Sequence, residues 1–343
     1  MLPGARLSVM PRPERPGPLY LSAADVAAAM PPLDERLRLA EQTMVALVAD
    51  AELPPKVAVH PRPEGSFGHA MPAYLRGSDP AGADDLVGMK WIAGFPANRS
   101  RDLPALHGVV LLADATTGVP TAILDAGPIT AERTAAISGV AIARFAPRAG
   151  ARAPRAALIG AGMQGRSHLE VLGRVLPGVE LSVFDRHPDR AEALAEAARA
   201  TEGIGDSVAR RTARDAIGTA DVVVTAAAFG PIRQVMTTDW LTPDALVVAV
   251  DYATYVAAEV AREAQLFLVD QREQFLANRD AGLFDGYPDP TATLGEAIVA
   301  GTERPPVGRV VVSHLGVGLA DLIFGSAILE RAVAAGIGTA LTG

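Results

Sequence analysis

The stretch Ala156–Gly165, which reads AALIGAGMQG, decides the fold of this chain. It opens with an apolar run, as does a strand that a parallel sheet buries on both faces. Glycines then follow in a G-x-G-x-x-G pattern: Gly160 permits a tight turn, Gly162 lets the backbone approach a pyrophosphate, and Gly165 allows close packing of helix on strand. A helix that begins here directs free N–H groups at that anion. The pattern therefore predicts a dinucleotide-binding turn.

An acidic residue in the right place supports this prediction. Asp185 stands 20 residues past Gly165 and follows the next apolar run, Leu181–Phe184. A carboxylate there hydrogen-bonds the ribose hydroxyls and repels a 2′-phosphate, which favours NAD(H). Arg186 leaves NADP(H) as the alternative cofactor, since its side chain can bind a 2′-phosphate or stack on adenine. It can equally be a solvated residue at the start of a helix.

The chain around and beyond the glycine turn alternates between predicted helices and buried strands, as in a doubly wound α/β domain. The predicted helices are Arg166–Val175 and Pro188–Arg199, and the predicted strands are Leu181–Phe184, Asp221–Ala226, Ala245–Val250 and Gln265–Val269. Thr225 and Ala226 end one of these strands on its carboxyl side. Because the cofactor crevice of such a sheet lies on that side, we expect them at the nicotinamide end of the dinucleotide.

The first part of the chain has a different pattern. Ser22 and Asp25 match a capping box that predicts a short helix, and apolar residues at spacings of three and four from Leu33 onward predict a second one. Thr130 is expected to cap a third helix, which runs to Phe145. The predicted strands between the second and third helices are Lys56–His60, Ser66–Leu75, Val87–Ala93, Gly108–Ala113 and Val119–Leu124. This pattern predicts an α+β domain on a mainly antiparallel sheet.

Length and composition set further limits. The 343 residues exceed the roughly 250–300 at which one hydrophobic core stops growing, which predicts two domains. A net charge of −8 argues against a nucleic-acid surface or a polybasic membrane contact. The absence of cysteine excludes disulfides and thiolate chemistry, and the histidine spacing fits no zinc-protease motif, so no metal is expected. No apolar run fits a signal peptide or a membrane span, and the proline-rich start predicts an extended arm before Leu19. These patterns predict a cytoplasmic protein.

Five segments, in matching order and spacing, make the chain from about Leu19 onward resemble the ornithine cyclodeaminase/mu-crystallin family. They are Gly88-Met89-Lys90, Asp114–Pro120, Ile129–Ala136, Ile159–Gly165 and Leu315–Asp321. The resemblance implies a Rossmann dinucleotide-binding domain, residues 149–313, inserted into an α+β substrate-binding and dimerisation domain, residues 19–148 and 314–343. It also implies a homodimer formed through the antiparallel sheets. Family chemistry moves hydride between nicotinamide and the α-carbon of an amino or imino acid.

The same resemblance assigns two cations to the substrate carboxylate. Lys90 is expected to contact that carboxylate and to carry the proton to or from nitrogen, while the Arg133 guanidinium clamps it with two parallel hydrogen bonds. A lysine within the apolar run Val87–Ala93 is costly to bury unpaired. A cation in the first turn of a helix requires an anion nearby. The alternatives are a lysine that reaches solvent from a strand edge and an ion pair of Arg133 with Glu132 or a nearby aspartate.

Two further residues are candidates for substrate binding. Lys56 stands where the family often has an arginine, which keeps the charge but loses the planar fork. His69 lies on the strand that lines the pocket in relatives. A solvated strand end and a core histidine are the respective alternatives. The residues expected to bind the cofactor are Thr134, Gly160, Gly162, Met163, Gln164, Gly165, Asp185, Arg186, Thr225, Ala226 and His314.

One departure from the family pattern bears on the reaction. Cyclodeaminases carry a catalytic aspartate in Ala-Val-Gly-Gly-Asp, and a gapless match to Ala249 and Val250 places Ala253 at the aspartate. Asp251 stands two residues early; either it supplies the carboxylate through a shifted loop, or that function is absent. The sequence therefore favours an imine reductase or amino-acid dehydrogenase over an ornithine- or lysine-type cyclodeaminase. A non-catalytic, crystallin-like ligand binder is a further alternative, and an unrelated Rossmann dehydrogenase is disfavoured because the glycine turn lies mid-chain.

Overall fold

The computed structural model describes residues 17–148, 150–228 and 233–341, which divide into two units. The first unit comprises residues 17–39, 46–133 and 317–341 of the described chain, and the second comprises residues 40–45 and the described part of 134–316. The division after residue 133 falls within one long helix, and residues 40–45 lie within another, whereas the predicted boundary follows residue 148. Most of the predicted N-terminal arm lies outside the described residues.

The first unit begins with a mainly antiparallel sheet, in which β1 and β7 pair in parallel, and two helices, and a third helix leads out of it. In chain order the elements are β1 (Leu19–Leu21), α1 (Ala23–Ala28), α2 (Leu33–Ala49), β2 (Ala51–Glu52), β3 (Val57–Val59), β4 (Phe67–Leu75), β5 (Leu86–Gly94), a 3-10 turn (Pro96–Arg101), β6 (Leu106–Ala113), β7 (Pro120–Asp125) and α3 (Ala126–Phe145). The predicted capping box is confirmed, because the Ser22 side chain accepts from the Asp25 N–H and the Asp25 carboxylate accepts from the Ser22 N–H.

The predicted start of the third helix is wrong. Helix α3 begins at Ala126, so Thr130 lies within the helix, where its hydroxyl donates to the carbonyl oxygen of Ala126 at 2.5 Å. The carboxylate of Asp125, at the end of β7, instead accepts from the N–H of Gly127 at 2.8 Å. A carboxylate can satisfy a free N–H at a helix start as well as a hydroxyl can. Arg133 consequently lies in the second turn of α3, not in the first.

The second unit alternates strand and helix around a parallel sheet. Its elements are β8 (Arg155–Ile159), α4 (Met163–Val175), β9 (Val179–Phe184), α5 (Pro188–Arg199), β10 (Ile204–Ala209), α6 (Ala213–Ile217), β11 (Val222–Thr225), β12 (Leu246–Ala249), α7 (Ala258–Arg262), β13 (Leu266–Val269), α8 (Arg272–Asp280), β14 (Ala292–Thr293), α9 (Leu294–Val299) and β15 (Val310–Ser313). The strand order is β10-β9-β8-β11-β12-β15-β13-β14, with every neighbouring pair parallel. The first six strands in this order have the arrangement of a dinucleotide-binding sheet.

The end of the chain returns to the first unit as α10 (Gly318–Ala335) and β16 (Thr339–Ala340). The sheet order there is β16-β1-β7-β6-β5-β4-β2, with β3 also paired to β4. Helix α10 packs on one face of this sheet, and a Cβ at Gly318 would lie 2.5 Å from the carbonyl oxygen of Met71. A glycine is therefore needed where the helix meets β4. Within the described ranges, no helix combines the length and the apolar character that crossing a bilayer demands.

Candidate active site

A buried cluster of three charged side chains lies in the first unit. A single carboxylate oxygen of Asp321, in the first turn of α10, accepts from Nζ of Lys90 at 2.9 Å and from Nε of Arg133 at 3.1 Å. Lys90 lies on β5 and Arg133 on α3, and the side chains of Lys90 and Asp321 are 1% and 0% exposed. Two cations facing one anion leave an excess positive charge. The cluster is therefore suited to bind a second carboxylate.

The surroundings of Lys90 bring its ionisation close to neutral pH. Burial lowers the pKa of Lys90 to about 8; the charge of Asp321 opposes this effect, and the charge of Arg133 adds to it. Nζ also donates to the Thr130 hydroxyl at 2.7 Å. Burial alone would raise the pKa of Asp321, but the charges of Arg133 and Lys90 hold it below its ordinary value. Lys90 can thus exchange a proton near neutral pH while Asp321 stays ionised.

Lys56 and His69 lie on or next to two paired strands of the first sheet. Lys56 immediately precedes β3, one residue outside the strand, and His69 on β4 stacks on Phe67 with ring centroids 4.6 Å apart. Burial, together with the positive charges of Lys56, His60 and Lys90, lowers the pKa of His69 to about 4. His69 is therefore a neutral polar group within a region of positive charge. Such a region attracts an anionic ligand.

The glycine turn of the second unit has the geometry of a phosphate cradle. A Cβ at Gly160, where φ is +108°, would lie 2.4 Å from the carbonyl oxygen of Ala226, and one at Gly165 would lie 2.1 Å from that of Gly160. A Cβ at Gly162 would meet no atom within 4 Å. Gly162 is the N-cap of α4 and offers no side chain to its N–H groups. The open space before this helix start therefore fits a pyrophosphate.

Asp185 is fixed against this turn. It follows β9, and its two carboxylate oxygens accept from the N–H groups of Ala161 at 2.8 Å and His187 at 2.9 Å. The carboxylate can accept further hydrogen bonds, so the position fits recognition of a ribose. Arg186 is exposed beside it, as is Met163 at the start of α4. Gln164 lies in the first turn of the same helix.

A buried acid stands at the carboxyl edge of the parallel sheet. Asp251 follows β12, is 2% exposed, and accepts from the N–H of Ala227 at 3.3 Å. Burial raises its pKa to about 6, although the hydrogen bond from the N–H of Ala227 favours the ionised form. The next two residues, Tyr252 and Ala253, have φ values of +51° and +57°. Left-handed backbone at two successive non-glycine residues stores strain of a kind that clusters at functional sites.

The structure also shows the surroundings of Ala253, the residue that aligns with the catalytic aspartate of the cyclodeaminases. Ala253 is 1% exposed, so a buried methyl group occupies that position. Tyr252, which the same gapless match aligns with the second glycine of that pattern, has a φ of +51°, a conformation that glycine adopts more readily. Asp251 is thus the acid that the loop presents next to the ends of β11 and β12. Thr225 ends β11 and is fully buried, while Ala226 follows it and donates to the carbonyl oxygen of Ile159 at 2.7 Å.

The sequence identified His314 as a candidate site residue. It did not identify Ser138, which contacts His314, or His168, which contacts Ser138. His314 follows β15, and its Nε2 lies 2.9 Å from the hydroxyl of Ser138 on α3. The same hydroxyl lies 2.8 Å from Nε2 of His168 on α4. Ser138, His168 and His314 are all buried, and Thr134 is buried one turn before Ser138. Among the residues that the structure describes, no group of acidic and histidine side chains is arranged to ligate a metal ion.

Comparison with known proteins shows which family and which relatives this chain resembles. The profile of the ornithine cyclodeaminase/mu-crystallin family matches residues 22–334. The nodulation efficiency protein of Rhizobium meliloti is 33% identical over 327 residues, which cover 93% of this chain and 97% of that protein. The ketimine reductase mu-crystallin of Mus musculus is 29% identical over 258 residues, which cover 74% of this chain and 76% of that protein.

Solved structures show the same fold. The Delta(1)-pyrroline-2-carboxylate reductase of Thermococcus litoralis, in complex with NADH and L-proline, superposes with a TM-score of 0.80 at 24% identity, covering 94% of this chain and 100% of that one. An archaeal alanine dehydrogenase dimer with bound NAD gives a TM-score of 0.80 at 24% identity and covers 94% and 98%. The predicted fold class, a Rossmann domain together with an α+β domain, is confirmed.

Proposed function

The chain belongs to the ornithine cyclodeaminase/mu-crystallin family, and from this premise we propose that it is an NAD(P)-dependent oxidoreductase acting at the α-carbon C–N bond of an amino or imino acid. The buried cluster of Lys90, Arg133 and Asp321 carries the proposal, because it combines an excess positive charge with an amine that exchanges protons near neutral pH. The mouse ketimine reductase and the archaeal reductase and dehydrogenase support this class of reaction. We propose reduction of an imine as the favoured direction.

We propose NAD(H) as the cofactor, with NADP(H) as the alternative. The N–H groups at the start of α4, including those of Met163 and Gln164, would hold the pyrophosphate over Gly162. Asp185 would accept from the adenosine ribose, and Arg186 would meet a 2′-phosphate if one were present. Thr134, Thr225, Ala226 and His314 would hold the nicotinamide end. When bound, the cofactor supplies or accepts the hydride.

We propose that Lys90 and Arg133 clamp the substrate carboxylate. Arg133 uses Nε for Asp321, so the planar fork of its two terminal nitrogens is the part that suits a carboxylate. Asp321 holds both cations in place and limits their mutual repulsion. Lys56 adds positive charge to the same region, and neutral His69 offers a polar contact. An α-amino or α-imino acid supplies the carboxylate that this arrangement lacks.

We propose that Lys90 also carries the proton that imine reduction places on nitrogen. With a pKa of about 8, Lys90 is protonated at neutral pH and can act as a general acid. The same amine, once neutral, can act as the base in the oxidative direction, which is therefore favoured above pH 8. Asp251 is the second catalytic candidate, because its pKa of about 6 places another proton exchange near neutrality. A cyclodeaminase would need such an acid near the α-carbon.

We propose that the protein is a homodimer formed through the open face of the antiparallel sheet. Lys90 points to the face that α10 covers, so Trp91 points to the opposite one, where it pairs directly with Val109. Trp91, Val109 and Tyr20 are 38%, 39% and 38% exposed. An exposed apolar patch of this kind marks an interaction surface. Sedimentation should show a dimer that Trp91→Arg weakens. A cytoplasmic location stays a prediction from the sequence.

A substrate screen tests the proposed reaction. NADH and NADPH oxidation is followed with cyclic imino acids, and with 2-oxo acids plus amines. Separately, L-ornithine with catalytic NAD is examined for proline. Turnover of an imino acid that Arg133→Ala reduces on the order of 100-fold in kcat/KM, with cofactor affinity unchanged, supports the proposal, since loss of one buried charge partner costs about 2–5 kcal/mol. Efficient proline formation would instead indicate a cyclodeaminase, and Asp251→Asn would then be the first variant to test.

A further inference from the structure

A chain of buried hydrogen bonds links the helix of the glycine turn to the end of β15. Nδ1 of His168 lies 2.6 Å from the carbonyl oxygen of Gln164, one turn earlier on α4. Nε2 of His168 lies 2.8 Å from the Ser138 hydroxyl, which lies 2.9 Å from Nε2 of His314. His168 and Ser138 are 0% exposed and His314 is 1% exposed. All of these residues belong to the second unit.

The proton positions along this series of hydrogen bonds follow from which of its atoms can donate and which can only accept. A carbonyl oxygen only accepts, so Nδ1 of His168 carries a proton. Burial lowers the pKa of His168 to about 4, which leaves the ring neutral with an accepting Nε2. Ser138 must therefore donate its single hydroxyl proton to His168. Its oxygen then accepts from Nε2 of His314, and this nitrogen must carry a proton. Nδ1 of His314 is left as the nitrogen that holds a lone pair when the ring is neutral.

The position of His314 in the sheet indicates a role for the tautomer in which Nε2 carries the proton. The backbone N–H of His314 donates to the carbonyl oxygen of Ala249 at 3.0 Å, at the carboxyl ends of β12 and β15. Ligands of parallel sheets bind beyond these ends. Because Asp185 marks the adenosine half beyond β9, the nicotinamide half lies toward β11, β12 and β15. The carboxamide of nicotinamide offers an N–H₂ donor, which an accepting ring nitrogen complements.

We propose that Ser138 and His168 are positioning residues that hold His314 in the Nε2–H tautomer, so that Nδ1 accepts a hydrogen bond from the carboxamide of bound nicotinamide. This inference rests on the proposed use of NAD(P)H. It adds two residues that do not touch the cofactor themselves and act only through His314. It also gives a reason for a histidine at position 168, where a residue that only filled space would leave the Ser138 proton without a defined acceptor.

The test reads the tautomer directly. Proton–nitrogen spectra of the full-length protein with ¹⁵N-labelled histidine distinguish Nε2–H from Nδ1–H, and loss of one ring's signals in His314→Gln assigns that residue. The wild-type protein should show His168 as Nδ1–H and His314 as Nε2–H. Ser138→Ala and His168→Leu should give His314 a mixture of tautomers. His168→Gln should keep the wild-type form, because a side-chain carbonyl oxygen can replace the accepting nitrogen. Ser207→Ala, at another buried serine, serves as the control.

Binding supplies the second readout. Ser138→Ala should weaken NADH about 2–10-fold, the value of one hydrogen bond between neutral groups, and leave ADP-ribose affinity unchanged because that ligand lacks the nicotinamide. A wild-type His314 with Nδ1–H would overturn the proposal, and so would a Ser138→Ala variant with unchanged NADH affinity. Equal weakening of NADH and ADP-ribose would also overturn it, showing that the chain only supports the glycine turn. Failure to reduce any imino acid would sink the proposed reaction alone, since tautomer and binding are measured without turnover.

Discussion

Replacing Asp321 with asparagine removes one charge and almost no volume from the buried cluster. A side-chain oxygen remains to accept from Lys90 and Arg133, so the geometry can persist. The charge of Asp321 raises the pKa of Lys90 against the effect of burial, and Arg133 lowers it. In Asp321→Asn, burial and the charge of Arg133 still lower the pKa of Lys90, and the opposing charge of Asp321 is gone. The pH above which imine reduction declines, which the wild-type pKa places near 8, should therefore fall.

The distances set the size of this effect. Nζ of Lys90 lies 2.9 Å from the carboxylate oxygen. At this separation and an effective dielectric constant of about 20, an opposite charge contributes about 6 kcal/mol. At about 1.4 kcal/mol per pKa unit, this sets an upper limit of about four pH units, and a displacement of about one to three is typical of such pairs. Loss of a buried partner should also cost about 3–5 kcal/mol of stability.

That stability loss should depend on pH. The pKa of Lys90 in the folded protein lies below its ordinary value, so folding favours the neutral amine and the cost of burying the charged form disappears as pH rises. Asp321→Asn should therefore be more destabilised at pH 6 than at pH 9 in urea unfolding. Asp221→Asn, which breaks an ion pair with Arg152 in the second unit, provides a control with an unmoved rate profile. An unchanged alkaline limb in Asp321→Asn would show that Lys90 is not the group that titrates.

Three further changes test the second unit. Gly162→Val should fold normally and lose dinucleotide binding by calorimetry, whereas Gly165→Ala should lose about 1–3 kcal/mol of stability, because its Cβ would lie 2.1 Å from a backbone oxygen. Asp185→Ser should raise the ratio of NADPH to NADH activity, and an unchanged ratio would mean that Asp185 does not face the ribose. Asp251→Asn should stabilise the protein by roughly 1–3 kcal/mol at pH 8 and not at pH 4, because folding disfavours the ionised carboxylate, whose raised pKa is about 6. Equal unfolding midpoints of Asp251→Asn and the wild-type protein at pH 8 would contradict the buried charge.

The features that sequence predicted well are those whose cause is local. The glycine turn and Asp185 owe their meaning to spacing within one strand-turn-helix unit, and the capping box at Ser22 closes within three residues. Thr130 shows the limit of local reasoning, since the acid that ends β7 competed with it for the helix start. Strand β10 was missed because polar residues interrupt its apolar pattern.

Contacts between distant segments were beyond such reasoning. Asp321 was part of a recognised segment, but its pairing with Lys90 across 231 residues was not predicted. Ser138 and His168 look like ordinary helix residues until two helices and the end of β15 bring them together. The left-handed backbone of Tyr252 was equally hidden, because no sequence pattern announces strain that the surrounding fold imposes.

The order of segments along the chain has a consequence for synthesis. Domains generally fold as units while the ribosome extends the chain. Every described residue of the second unit precedes Val317, so that unit can be complete before α10 and β16 leave the ribosome. Until then Lys90 and Arg133 lack their shared carboxylate, and one face of the first sheet lacks its covering helix. A nascent chain whose α10 is still inside the ribosome would therefore display a finished second unit together with a first sheet that has one uncovered face, which makes the emergence of α10 the step at which chaperones have most to protect.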